Sequence, residues 1–295
     1  MMPFRISVPA SSANLGPGFD SMGLALGLYI HLDVESADQH AFFAHGSAES
    51  EENHFIWNIT EQVAERYGVS LPPCKVQETS EIPLARGLGS SASAIVAGIE
   101  LANQLGNLQL TDEQKLAFGT EIEGHPDNIA PALFGGLTIS TMLENDIPSV
   151  QLTDIELDLI AYIPEVELKT EVSRNCLPDT YERSYAARAS AMSNLVVAAL
   201  YSKDYALFGK MLENDLFHEP FRKALISNFD LIREKAKELG AFGTALSGAG
   251  PTMLSFVPKG QGEKVKKEMT KHLQGYHIKL LEIDTKGVSV SSGNL

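Results

Sequence analysis

The run Arg86-Gly87-Leu88-Gly89-Ser90-Ser91-Ala92-Ser93 has a clear chemical logic. Gly87 and Gly89 allow positive φ and let an anion come close to the backbone. Ser90 to Ser93 then present unpaired N–H groups at the start of a helix, where the dipole also favours negative charge. Such a run is a phosphate cradle. It differs from the P-loop of nucleotidases, because no Lys follows the glycines and no GK[ST] triplet occurs in the chain. A tight turn closed by a Ser cap would use the same residues, and the run alone does not separate the two.

Other residues could supply the remaining chemistry. Two more Gly/Ser-rich segments cover 11–20 and 243–252, and a polar loop, Gly124-His125-Pro126-Asp127-Asn128, follows the acidic pair Glu121 and Glu123. Thr170, Arg174 and the run His218-Glu219-Pro220-Phe221-Arg222 add a hydroxyl and two guanidinium groups. Each has an ordinary alternative. Asn14 and Asp20 are turn formers, the two glutamates suit a solvated helix end, and either arginine could sit in a surface ion pair. His31, His45 and His272 have no partner pattern, and Phe208, Met253 and Phe256 fall at core periodicity.

The elements that must position these groups follow from periodicity and punctuation. A strand over 4–8 runs into a loop over 9–18 and an apolar stretch over 22–30. A helix over 56–67 stops at Gly68. The cradle opens a helix in which Ile95, Val96, Ile99 and Ala102 recur at helical spacing, with Gly106 as its stop. Thr111 and Gln114 cap a helix over 113–121 that feeds the His125 loop. Periodicity lapses over 144–154, which reads as the connection between domains covering 1–150 and 151–295. Beyond it come a strand over 157–163, helices over 185–200 and 230–239, a strand over 253–257, a helix over 263–273 and a strand over 279–283. The class is α+β.

Composition bounds the function. A chain of 295 residues can build two cores. A formal charge of -15, from 38 acidic and 23 basic residues, argues against nucleic acid as a partner. Cys74 and Cys176 are the two cysteines, with no metal or redox spacing, which fits reduced thiols in a cytoplasmic protein. No window approaches the roughly 18 apolar residues of a membrane span, and the N-terminus lacks an apolar signal core, so neither membrane nor secretion is expected.

The spacing Pro83-Leu84-Ala85-Arg86-Gly87-Leu88-Gly89-Ser90-Ser91-Ala92 resembles the ATP signature of the GHMP kinases. The segments 9–20, PASSANLGPGFD, and 243–251, GTALSGAGP, resemble that family's first and third motifs, in the right order. Within the family the likeness is greatest to the homoserine kinases, through SANLGPGFD ending at Asp20, HPDNIAPALFGG starting at His125 and HEPFR ending at Arg222. The resemblance spans nearly the whole chain.

It implies a two-domain GHMP-kinase-like architecture with a ferredoxin-like C-terminal domain, and transfer of a phosphoryl group from ATP, with Mg2+, to L-homoserine, in a homodimer. Residues 83–93 with Ser247 and Gly248 would bind ATP, and Thr244 would lie near the phosphates. Asn14, Asp20, His125, Asn128, Arg174 and Arg222 would bind the acceptor, the two arginines gripping its carboxylate. Asp127, Asn128 and Thr170 would serve the transfer. Glu121 with Ser90 would hold the metal, although a spacer shorter than in some relatives leaves Glu123 as the alternative. A mevalonate-type acceptor, or an inactive nucleotide-binding regulator on the same fold, are the competing readings.

Overall fold

Strand β2 (Met22–Ser36) shows how the first layer is built. From Leu26 to Val34 its residues alternate buried and half-buried, so Leu26, Leu28, Ile30, Leu32 and Val34 face the core while Tyr29, His31 and Asp33 face outward. In the computed structural model, which describes residues 2–51 and 53–292, β2 lies at the centre of the larger sheet. It pairs antiparallel with β1 (Phe4–Ala13), with β4 (Cys74–Ser80) and, at its start, with β5 (Leu137–Ser140). Strand β3 (Ala41–Phe43) extends the sheet beyond β4, β6 (Ser149–Leu152) pairs with β5, and β11 (Ser289–Ser292) pairs with β1. Strand β1 continues five residues past the expected strand end, so the small residues of the first motif are sheet residues up to Ala13.

Against this sheet pack α2 (Ser90–Leu105) and the short α4 (Ile129–Phe134), while α1 (Phe55–Tyr67) and α3 (Asp112–Glu123) pack on α2. Helix α2 is buried along most of its length, with Ile95, Val96, Ile99 and Ala102 in the core. The cap expected on α3 forms as a reciprocal pair: Thr111 Oγ1 accepts from Gln114 N at 3.3 Å, and Gln114 Oε1 accepts from Thr111 N at 2.8 Å. This helix extends to Glu123, one residue before Gly124 turns the chain with φ of 89°.

The second sheet runs β10-β7-β9-β8, with β7 (Leu157–Pro164), β8 (Gly243–Leu246), β9 (Met253–Pro258) and β10 (Tyr276–Leu281), all antiparallel. Strand β7 is buried along its length, and apolar but for Asp158, because both faces are covered. Leu159, Ala161 and Ile163 join the core that includes Phe208 and Phe256, while Ile160 and Tyr162 join a second core with Ile232, Val265 and Met269. The covering helices are α6 (Arg183–Tyr201) and α7 (Tyr205–Leu212) on the first side, and α9 (Phe229–Glu238) and α10 (Gly262–Met269) on the other. Two short helices, α5 (Thr170–Arg174) and α8 (Glu219–Arg222), face the crevice between the sheets. A cut at 150 falls inside β6, and pairing puts both β6 and the C-terminal β11 in the first sheet. Among the described residues no helix is long and apolar enough to cross a membrane.

Candidate active site

The three Gly/Ser-rich segments meet. Gly87 and Gly89 have φ of 72° and 66°, in the left-handed region, and α2 begins immediately afterwards. A Cβ on Gly89 would collide with Ser11 Oγ and stand 3.0 Å from Asn128 Oδ1. One on Gly87 would meet the backbone of Ser247 and Gly250. Glycine is thus required by the packing of neighbouring segments as well as by φ.

Ser247 Oγ donates to Gly87 O at 2.6 Å and contacts Ser12 Oγ at 2.8 Å, so one buried hydroxyl ties all three segments together. Asn14 Nδ2 donates to Gly248 O at 3.1 Å, and Asn14 Oδ1 accepts from Asp20 N at 3.0 Å. Gly89, the residue that caps α2, has no side chain to make a capping bond, so among the described residues the first-turn amides of Ser90, Ser91 and Ala92 have no side-chain acceptor. Ser93 Oγ is spent on Pro9 O and Gly89 O.

A cavity of about 90 Å³ opens in front of these amides. Its walls carry Asp20, Glu123, His125, Asp127, Asn128, Thr170, Arg174 and Arg222, contributed by segments more than 200 residues apart. Arg174 Nη2 lies 2.8 Å from Asp20 Oδ1 and Nη1 lies 3.4 Å from Oδ2. Arg222 is buried, at 1% exposure, and held by Ser173 O at 3.1 Å, Gly248 O at 3.2 Å and His218 Nδ1 at 3.3 Å. Burial, and then the charge of Arg174, depress its pKa. Among the described residues none of its hydrogen-bond partners is a carboxylate, so its charge is available to an anion in the cavity.

On the opposite wall His125 Nδ1 donates a short bond to Asp127, and Asn128 Nδ2 approaches the same carboxylate oxygen at 3.4 Å. Asn128 Oδ1 accepts from Ser11 Oγ at 2.9 Å. Burial disfavours the imidazolium of His125, but the hydrogen bond and charge of Asp127 outweigh it and raise the His125 pKa.

Glu121 is not at this site. Two residues apart on a helix are about 200° apart around its axis, so Glu121 and Glu123 point in opposite directions. Glu121 is exposed and bound to Arg66 by bonds of 2.7 and 2.8 Å, which hold it below the usual carboxylate range. Glu123 faces the cavity, accepts from Ser91 Oγ at 3.0 Å and is pushed up by burial. A half-buried carboxylate beside the cradle, with no cation bonded to it among the described residues, suits a divalent metal. Of the two carboxylates, Glu123, the alternative, is thus the one at the cavity, and Glu121 is not.

Two further assignments change. Arg86 donates to the carbonyls of Pro164, Leu84 and Glu165, latching the cradle to the end of β7. Thr244 is fully buried in β8, bonded to Ser255 Oγ at 2.6 Å, and does not reach the cavity. Ala92 packs in the core, while Leu88 is buried and also lines the cavity.

A second cleft of about 530 Å³ adjoins the cradle, sharing Ala85, Ser90 and Ser91 with the first. Ile30, Phe55, Ile82 and Ala94 give it an apolar lining, and His54, Glu78 and Ser80 add polar atoms. Of its residues, the sequence pointed to Leu84, Ala85, Ser90 and Ser91, all within the ATP-signature run 83–93. The others are apolar residues at core spacing or isolated polar ones, which carry no signal of a ligand.

Residues 54–136 match the model of the GHMP kinase N-terminal domain and 196–275 that of the GHMP kinase C-terminal domain. A homoserine kinase of Oceanobacillus iheyensis is 66% identical over 292 residues, covering 98% of this chain and 99% of that protein. One from Bacillus pumilus is 45% identical, covering 98% and 94%. The crystal structure of a homoserine kinase from Cytophaga hutchinsonii superposes with a TM-score of 0.85 at 26% identity, covering 99% and 98%. With the cradle, both GHMP domains and this likeness along its length, the chain belongs to the homoserine kinase family of GHMP kinases.

Proposed function

We propose that this protein transfers the γ-phosphoryl group of ATP to the hydroxyl of L-homoserine, giving O-phospho-L-homoserine and ADP for threonine biosynthesis. The observation that carries the reading is the pairing of one carboxylate, Asp20, with two guanidinium groups, Arg174 and Arg222, on a cavity at the α2 N-terminus. An α-amino acid presents the matching charges. Its ammonium suits Asp20, and its carboxylate suits the arginines through parallel bonds. A mevalonate-type acceptor would bring no ammonium to Asp20, which would keep Arg174 as its partner and withhold that guanidinium from the carboxylate.

The apolar cleft beside the cradle suits the adenosine, placing the phosphates over the amides of Ser90, Ser91 and Ala92. Glu123 and Ser90 would hold Mg2+, which offsets charge on the phosphates when bound. Phosphoryl transfer needs alignment and charge neutralisation more than covalent chemistry, and the chain's own residues supply the alignment. Asn14 fixes the loop bearing Asp20. His125 and Asn128 occupy one oxygen of Asp127, whose other oxygen is our candidate acceptor for the substrate hydroxyl's proton. Thr170, on the cavity rim, is placed to bond the moving phosphoryl group. We expect the enzyme to act in the cytoplasm as a homodimer, which sedimentation would test.

The identity of the product decides the reading. Phosphorus NMR after incubation with Mg-ATP and L-homoserine should show a phosphomonoester that comigrates with O-phospho-L-homoserine. ATP consumption without that ester, or phosphorylation of mevalonate instead, would sink it.

A further inference from the structure

Phe19 lies against both arginines of the clamp. Its ring centroid lies 5.9 Å from the guanidinium carbon of Arg174 and 5.4 Å from that of Arg222. The ring also stacks on His218, with centroids 5.5 Å apart and planes 23° from parallel. His218 is fully buried and fixed from two sides. Its Nε2 lies 2.9 Å from Gly16 O, which can only accept, and its Nδ1 lies 3.3 Å from Arg222 Nη1, which can only donate. These partners select the neutral tautomer protonated at Nε2. The first motif, the HEPFR segment and both guanidiniums are thus joined around one aromatic ring.

We infer that Phe19 is a positioning residue for acceptor recognition, an aromatic platform that holds the two like-charged guanidiniums side by side so that both address one carboxylate. Two neighbouring cations repel, and Arg222 is also out of water. A ring within about 6 Å attracts each through its quadrupole, and that attraction is strongest where water is excluded. The ring faces the guanidiniums and does not line the nucleotide cleft. It therefore acts on the carboxylate half of recognition.

The inference rests on the proposal that the arginines read the acceptor's carboxylate, and the test separates the two. Replacing Phe19 with mono-, di- and trifluorophenylalanine keeps the ring's shape while draining its negative face, so folding is not at issue. The KM for L-homoserine should rise stepwise, to about 5- to 30-fold for the trifluoro ring, from roughly 1 to 2 kcal/mol of lost attraction. The KM for ATP should hold. The KM for 3-amino-1-propanol, which lacks the carboxylate, should not follow the series. Phe19→Tyr should stay near wild type and Phe19→Leu should resemble the trifluoro ring. A flat series, or an equal rise for both acceptors, would overturn the platform while leaving the kinase reading intact. A wild-type enzyme inert towards homoserine would instead overturn the function on which it rests.

Discussion

Arg174→Met is the most informative perturbation of the clamp. Arg174 bonds Asp20 on the cavity wall, and the two side chains are 38% and 36% exposed, so their mutual pair contributes at most about 1 kcal/mol to stability. The variant should fold normally. What it loses is a charge-assisted bond to the acceptor carboxylate, worth roughly 1.5 to 3 kcal/mol, so the KM for L-homoserine should rise about 10- to 150-fold. Turnover should fall as well, because the clamp aligns the hydroxyl with the phosphate, and the KM for ATP should stay nearly fixed. Arg222 is a poorer probe. It is buried, and its removal takes a donor from Ser173 O, Gly248 O and His218 Nδ1 and leaves a hole in the packing, so a loss of stability would be mixed into the kinetics. The assay is initial-rate kinetics with L-homoserine and with 3-amino-1-propanol. Removing the carboxylate from the acceptor should reproduce much of the defect in wild type and add little in the variant. If the two losses multiply independently, the carboxylate is read elsewhere and the assignment of Arg174 fails.

Glu123→Gln should lower turnover strongly and raise the Mg2+ concentration needed for half-maximal rate, whereas Glu121→Gln, which weakens only an exposed pair with Arg66, should be nearly silent; the reverse pattern would restore Glu121 as the metal carboxylate. Gly89→Ala forces a side chain against Ser11 and into positive φ, so calorimetry should find nucleotide affinity lost and melting should find the protein destabilised by about 1 to 3 kcal/mol. Because Asp127 raises the His125 pKa above its ordinary 6.5, this pair's stabilisation is complete below that value and is lost as pH climbs through the raised one. Urea midpoints across that range should decline in wild type, and His125→Asn should remove this share of the decline.

The architecture was legible where one pattern dominated. Buried α2 announced itself by helical spacing after a glycine pair, and β7 by an apolar run that both faces require. The lapse in periodicity over 144–154 misled, because β6 is an edge strand whose Ser149, Val150 and Gln151 are exposed, and so it carries no alternating signal. Nor could β11 be read, since its four residues are exposed and its place depends on pairing with β1 far away in the chain. At the site, residue types and spacing suggested the cradle and the family resemblance suggested the clamp, but neither could orient the end of α3. Because α3 runs through to Glu123, the two glutamates stand about 200° apart around its axis, and which of them reaches the cavity depends on how the helix packs. Arg86 and Ser247 lie inside recognisable motifs but serve to hold the segments together. A motif match cannot tell a residue that touches the ligand from one that holds the loop.

The central claim is that this cavity accepts an α-amino alcohol through both of its charges, and acceptor-dependent ADP release tests it most directly. With saturating Mg-ATP, kcat/KM should be highest for L-homoserine, lower by about 10-fold or more for 4-hydroxybutyrate and for 3-amino-1-propanol, each lacking one charge, and negligible for mevalonate. Equal rates with homoserine and 4-hydroxybutyrate, or a preference for mevalonate, would contradict it.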